Sequence, residues 1–204
     1  MIKSLILKKV KILLETFFTY YRLYYFRIND FKVKEIKIAS NFQLKILNFE
    51  DLNLFDSFDL SSHYIKIYTE RLNNKAFICF GIIDLDYKKL AYYCWINFEH
   101  ITYCKEIKKK LKLKQQNACL FEDDNTHPDY RQLKLHSYIM NERIKYCASQ
   151  NLNQAYIIIH PFNVPAIKTI ENFGFKKTFH IPVKWRDNSM EFLIKKIKQI
   201  GKVS

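Results

Sequence analysis

Polar residues at Ser4, Lys8, Lys11, Glu15, Thr19 and Arg22 recur every three or four positions through the opening "MIKSLILKKVKILLETFFTYYRLYYF". That spacing lines them along one narrow stripe of a helix and leaves most of the circumference apolar or aromatic. A helix over residues 1–26 therefore needs a cover. Two stay open. One is protein, either its own domain or a second subunit of a homodimer. The other is a membrane surface, with Phe17, Tyr21, Tyr24 and Tyr25 at the level of the lipid head groups. Lys8, Lys9 and Lys11 interrupt the apolar stretch that a secretion signal needs, and no small-residue cleavage site follows. No apolar run approaches the ~18–20 residues that span a bilayer.

Beyond this segment the period changes. "FKVKEIKIAS" alternates apolar and charged residues and predicts a half-buried strand. "HYIKIYTERLNN" predicts a short helix closing at Asn73 and Asn74. "KAFICFGIIDL" and "KLAYYCWINF" predict strands around a turn at "DLDYKK". "CKEIKKKLKLK" reads as a solvated helix face or loop, and "NACLFEDD" as a strand. In "YRQLKLHSYIMNERIKYCASQ", Leu133, Leu135, Ile139, Met140, Ile144 and Cys147 fall mostly at helical spacing. "AYIIIH" is a buried strand, and "NVPAIKTIENFG" a helix with Asn163 as cap and Gly174 as stop. "FKKTFHIPVKW" and "SMEFLIKKI" predict two closing strands. Strands alternating with helices in the second half predict an α/β or α+β sheet with helices on its faces. The strand–helix–strand unit at 117–160 predicts parallel or near-parallel neighbours.

Composition narrows the class. The 204 residues suit one domain with an appendage, and 49% hydrophobic residues, with 17 Phe and 14 Tyr, supply a core. The formal charge of +14 is spread along a Lys-rich chain, so it carries little functional weight. The basic run at 104–114 lacks the interleaved aromatics of a nucleic-acid groove, and no nucleic-acid motif is present. Cys79, Cys94, Cys104, Cys119 and Cys147 are odd in number and far apart. They indicate neither a metal site nor a disulfide framework and fit a reducing cytosol, with membrane association if residues 1–26 lie on lipid.

One stretch looks built for anions. "HPDYRQLKLHSYI" opens a helix, and a helix amino terminus offers unpaired N–H groups and a positive dipole end to phosphate. Around it, three pieces stand in order: "FEDDNTHPDYR", "RQLKLHS" and "NVPAIKTIENFGFKK". Together they resemble the GCN5-related N-acetyltransferase superfamily, closely over about 117–176 and loosely over about 32–195. The first is similar to that family's acidic strand end and cofactor-loop arginine. The second stands in the place of its Arg/Gln-x-x-Gly-x-Gly/Ala pyrophosphate loop. The third is similar to its Asn-containing helix ending in Gly-Phe. The fold implied is a mixed, mostly antiparallel twisted sheet with helices on both faces over residues 32–204, carrying residues 1–31 as an N-terminal helical extension.

The resemblance implies acyl transfer from acetyl-coenzyme A to a small amine, with no metal. It places coenzyme contacts at Phe121, Asp123, Arg131, Gln132, Leu133, Lys134, Leu135, His136, Ser137, Asn163 and Ile170. It puts the thioester carbonyl against a backbone N–H near Phe121–Asp123, where the strand is expected to splay from "AYIIIH". Two departures stand out. Lys134 and His136 occupy the glycine positions of the loop. If the backbone there is helical, they can still donate their N–H groups. Ile170 stands where the family often has a tyrosine that protonates the leaving thiolate. Glu122 is the first candidate base and Asp124 the second, on the same face of a regular strand, with Asp123 on the other. Three adjacent carboxylates repel, which can raise one pKa. The substrate site is expected near "HYIKIYTERL" and "YYCWINF", whose tyrosines and tryptophan suit stacking on a sugar or another flat ligand, so an amino sugar of a surface-glycan pathway is one acceptor class. The alternative is a non-catalytic module of the same fold, working through protein or membrane contacts.

Overall fold

Residues 20–104, 109–113 and 117–182 are described by the computed structural model, and each structural statement below concerns them. Among the described residues, nine strands and three α-helices follow one another. Strands β1 (Tyr20–Arg27) and β2 (Phe42–Leu47) precede a 3₁₀ segment, Phe49–Phe58, and helix α1 (Ser62–Leu72). Strands β3 (Phe77–Asp84), β4 (Lys89–Asn97), β5 (Ile101–Cys104), β6 (Lys109–Lys112) and β7 (Ala118–Thr126) come next. Helix α2 (Leu135–Ser149), β8 (Gln154–Ile159), α3 (Val164–Asn172) and β9 (Lys176–Pro182) complete the described fold.

Seven strands form one sheet in the order β2-β3-β4-β7-β8-β1-β9, and β5 pairs with β6 apart from it. Every pairing is antiparallel except β7 with β8. That parallel pair is the one expected from the strand–helix–strand unit, because a crossover helix brings the chain back in the same direction. Helices cover both faces. Ile139, Met140 and Ile144 of α2 and Ile167 and Ile170 of α3 share a core with Phe80, Tyr92, Cys94, Phe121 and Ile157. On the opposite face Phe55 and Tyr68 pack against Leu47, Cys79, Tyr93 and Trp95. With both faces buried, β4 carries an unbroken run of enclosed side chains from Leu90 to Asn97.

The first correction concerns the amino-terminal segment. Residues 1–19 lie outside the described residues, but Tyr20–Arg27 is a strand, where a helix was expected through residue 26. It lies between β8 and β9, pairing Arg22 with Ile159 and His180. Aromatic residues favour a pleated surface, and this slot offers backbone partners on both edges, so sheet packing overrides the helical spacing. Tyr24 and Phe26 face the α2/α3 core, and Leu23 the other side. Tyr24 is fully enclosed and Tyr25 half-buried, so they do not form an exposed aromatic patch for lipid.

Three further differences have local causes. "FKVKEIKIAS" forms no strand; Phe31, Ile36 and Ile38 pack on the core as an irregular arm, half-buried without a ladder. The strand β2 that follows it was not anticipated. "CKEIKKKLKLK" contributes to a hairpin, β5–β6, in which Thr102 and Cys104 are buried while Ile101 and Tyr103 are exposed. "SMEFLIKKI" lies outside the described residues. The expected cap and stop of α3 are both present: Asn163 accepts from the Ala166 N–H, and Gly174 takes φ 92°. No helix among the described residues is long and apolar enough to cross a membrane.

Candidate active site

Strands β7 and β8 part company where the site begins. Their pairing ends at Phe121 with Ile157, yet the strands run on to Thr126 and Ile159. The gap opens a cleft of about 930 Å³ between β7, β8, the start of α2 and α3. This is the splay expected beside "AYIIIH".

A β-bulge shapes the acidic wall. Tyr93 pairs with Asn125 and Trp95 with Glu122, so β7 carries one residue more than β4 across the same span. Asp123 absorbs it with φ 51°. The bulge reverses the expected facing. Glu122 and Asp123 turn to the same side, where Arg71 of α1 reaches both, Nη2 to Glu122 Oε2 at 2.6 Å and Nη1 to Asp123 Oδ2 at 2.8 Å. Asp124 turns to the other side and meets α2. Its Oδ1 accepts from Arg143 Nη2 at 2.7 Å and from the Tyr92 hydroxyl at 2.6 Å. The carboxylates do not stand alone in mutual repulsion, because two guanidiniums lie among them. Glu122 also accepts from the Asn97 amide at 3.2 Å.

Both arginines are seated on aromatic rings. Arg71 lies 5.0 Å from the Phe77 centroid and 5.5 Å from that of Trp95. Arg143 lies 4.3 Å over Phe121 and is fully buried. Burial disfavours its cation; the groups facing it, Asp124 first, outweigh that and raise its pKa. Neither arginine was anticipated. Arg143 could have been: it stands between Met140, Ile144 and Cys147 on the apolar face of its helix, a position that demands an acid across the core.

The anion-binding turn follows. Pro128–Tyr130 is a short 3₁₀ turn, with the His127 ring accepting from the Asp129 N–H. Helix α2 begins at Leu135, and its first helical bond runs from Tyr138 N to Lys134 O. No side chain caps it. The N–H groups of Leu135, His136 and Ser137 thus lie ahead of the helical ladder at the cleft mouth. Lys134 has φ 61° and Gln132 φ 67°, so Lys134 holds the left-handed backbone that a glycine supplies, and the helical backbone considered for it is not adopted. His136, the other glycine position, lies within the helix.

His136 turns inward beneath that turn. Its Nδ1 lies 2.8 Å from the Tyr92 hydroxyl, and its Nε2 is buried without a partner among the described residues. Burial lowers its pKa, and Arg143 adds to that against the pull of Asp124. Burial, with Asp124 next, raises the pKa of the Tyr92 hydroxyl.

Of the residues singled out from sequence, Phe121, Glu122, Asp123, Asp124, Arg131, Gln132, Lys134, Leu135, His136, Ser137, Asn163 and Ile170 line one cleft. Leu133 does not; it is exposed. A smaller cavity of about 570 Å³ adjoins, sharing Lys134, Ser137 and Thr169 with the cleft and adding Lys34 and Lys37. Tyr92, Tyr93 and Trp95 are buried in the core and offer no ring face to a sugar. Among the described residues no cluster of three or more His, Cys, Asp or Glu could hold a metal ion.

No family model and no curated protein sequence matches the chain. Solved structures do. A tandem GNAT protein from the clavulanic acid biosynthesis pathway matches 83% of the chain and 55% of its own length, at TM-score 0.58 and 10% identity. A GCN5-related N-acetyltransferase from Sphaerobacter thermophilus matches 85% of the chain and 54% of its own length, at TM-score 0.59 and 4% identity. AAC(6')-Iy, solved with the bisubstrate analogue CoA-S-monomethyl-acetylneamine, matches 72% of the chain and 99% of its own length, at TM-score 0.55 and 12% identity. The chain thus spans about half the length of the first two. With a mostly antiparallel sheet, a splayed parallel pair and a helix start at the mouth of the splay, this chain has the fold of the GCN5-related N-acetyltransferases.

Proposed function

We propose that the protein is an acyl-coenzyme A-dependent N-acyltransferase, with acetyl-coenzyme A as donor and a small amine as acceptor. The observation that carries this is the cleft itself: two parallel strands parted beside the bare amino terminus of α2. The N–H groups of Leu135, His136 and Ser137 fit a pyrophosphate, and the orphaned His136 Nε2 marks a place where a ligand completes the hydrogen bonding. Lys34, Lys37 and Lys134 around the adjoining cavity, offset in part by Glu35 paired to Lys37, leave a positive balance that suits a further phosphate. Bound acyl-coenzyme A would supply a thioester ready for attack.

The chain's own groups then have definite tasks. The bulge leaves Asp123 and Asp124 out of the β4–β7 ladder, which frees backbone there to face a developing oxyanion. Glu122 is the proton acceptor for the attacking amine, directly or through water, and Arg71 and Asn97 hold it in place. Three carboxylates against two guanidiniums leave the wall with one net negative charge, which favours a cationic amine at the entrance. The burial of Tyr92, Tyr93 and Trp95 leaves only Tyr64 of α1, which is exposed, to carry the aromatic argument, so the acceptor is proposed as a small amine, with an amino sugar as one class.

Isothermal titration with acetyl-coenzyme A, followed by a thiol-release assay on a panel of polyamines and amino sugars, tests this. Saturable binding with release dependent on one amine supports it. No binding at millimolar ligand and low salt overturns it. Binding without release on any amine favours the second reading, a non-catalytic module of the same fold. The fully buried Ile170, which cannot protonate a thiolate, is the observation on that side.

A further inference from the structure

Four side chains from three elements form a single chain of hydrogen bonds beneath the cleft: Arg143, Asp124, Tyr92 and His136. The directions can be worked out. Arg143 only donates, and Asp124 Oδ1 receives it at 2.7 Å. The Tyr92 hydroxyl has one proton and lies 2.6 Å from the same Oδ1. A carboxylate at that distance has no proton of its own to give, so the proton between them belongs to Tyr92. The Tyr92 oxygen is then an acceptor toward His136, 2.8 Å away, and Nδ1 must carry the hydrogen. A neutral imidazole protonated on Nδ1 presents a bare lone pair at Nε2. That atom is buried, finds no donor among the described residues, and belongs to a side chain lining the cleft.

We propose that His136 is a ligand-positioning residue whose Nε2 accepts a hydrogen bond from the coenzyme A arm, with Tyr92 and Asp124 fixing the tautomer that makes this possible. The arm carries two amide N–H groups and hydroxyls, donors of the kind a lone pair needs. A buried acceptor left unmatched is costly, and a ligand that supplies the donor recovers the cost on binding. The inference rests on the proposed coenzyme site. The charged and titratable groups facing His136 are Tyr92 from β4, Asp124 from β7 and Arg143 from α2.

The test is long-range ¹H–¹⁵N imidazole correlation on the full chain with ¹⁵N-labelled histidine, alone and with saturating coenzyme A. His136 is assigned by its loss in His136→Gln. The free protein should show the Nδ1–H tautomer, and coenzyme A should move the Nε2 resonance upfield. By titration, His136→Leu should weaken coenzyme A about tenfold, while His136→Gln, which keeps an acceptor, stays within about threefold. An Nε2–H tautomer in the free protein, or an Nε2 resonance indifferent to bound coenzyme A, overturns the proposal. Should His136→Leu fail to fold, the tautomer and shift in the parent protein still decide. Failure of the parent to bind coenzyme A removes the coenzyme site and this inference together; binding with a silent Nε2 removes this inference alone.

Discussion

Replacing Lys134 with glycine should make the protein more stable, although it deletes four carbons and a charge. Lys134 sits at φ 61° and ψ 14°, immediately before α2. A residue with a Cβ held there costs about 1–2 kcal/mol, from the clash of Cβ with the following carbonyl. The lysine side chain is exposed and makes no hydrogen bond or ion pair among the described residues, so little is lost with it. Glycine relieves the strain but enlarges the conformational freedom of the unfolded chain, returning about 0.4–1 kcal/mol. The net gain is about 0.5–1 kcal/mol, or roughly 1–4 °C in Tm for a chain of this size. Lys134→Ala is the control, because alanine retains Cβ and therefore the strain. Thermal unfolding of the three proteins gives the comparison. A glycine variant no more stable than the alanine variant would refute the strain argument. Coenzyme A titration on the same proteins separates backbone from side chain. Unchanged affinity in Lys134→Gly assigns the work to the N–H groups, and an equal loss in both variants assigns it to the ammonium.

Glu122→Gln should lower kcat by about 100-fold or more while coenzyme A affinity holds, and equal turnover would remove Glu122 from the reaction. Asp124→Asn should act first on stability, by about 3–5 kcal/mol, because it strips the counter-charge from the fully buried Arg143; a melt close to that of the parent would contradict this. Deleting residues 1–27 removes β1 and its buried Leu23, Tyr24 and Phe26, worth about 1.5–3 kcal/mol each, and should leave no soluble folded protein. Soluble, cooperatively melting protein after that deletion would show β1 to be dispensable. The lowered pKa of His136 means that the unfolded chain takes up a proton before the folded one does. Its contribution to stability is therefore full above the ordinary histidine value of about 6.5 and is lost as pH falls from there toward the folded pKa. Denaturant midpoints from pH 8 to pH 5 should fall less steeply in His136→Gln.

The second half of the chain was legible because each element there carries its own local signal. β8 is a run of β-branched residues, and α3 has both a cap and a glycine stop. The residues of the cleft could be named for the same reason, since loop, strand end and helix cap each carry a local pattern. What failed was decided at a distance. Nothing within "YYRLYYFR" announces that its partners lie at 154–159 and 176–182. The bulge at Asp123 depends on the register against β4, so alternation along β7 gave the wrong facing for Asp123 and Asp124. Arg71 lies on α1, remote in sequence from the acids it joins. The left-handed Lys134 and Gln132 went unseen because the chain has only 3 glycines and sets other residues where glycine is usual.

The position of β1 also sets the order in which the molecule can be assembled. Synthesis delivers this strand before the rest of the described fold, yet its two neighbours are the last described strands to leave the ribosome. Among the described residues β9 pairs with β1 alone, so within the described sheet it joins only once β1 has docked on β8. Closing so long a loop is entropically slow, and the aromatic stretch "YYRLYYFR" has no partner in the described sheet until β8 and β9 have been made. An uncovered segment of high β-propensity on a nascent chain is a natural chaperone substrate and an aggregation hazard. Yield of this protein should therefore respond to translation rate and chaperone supply more than to the stability of the finished fold.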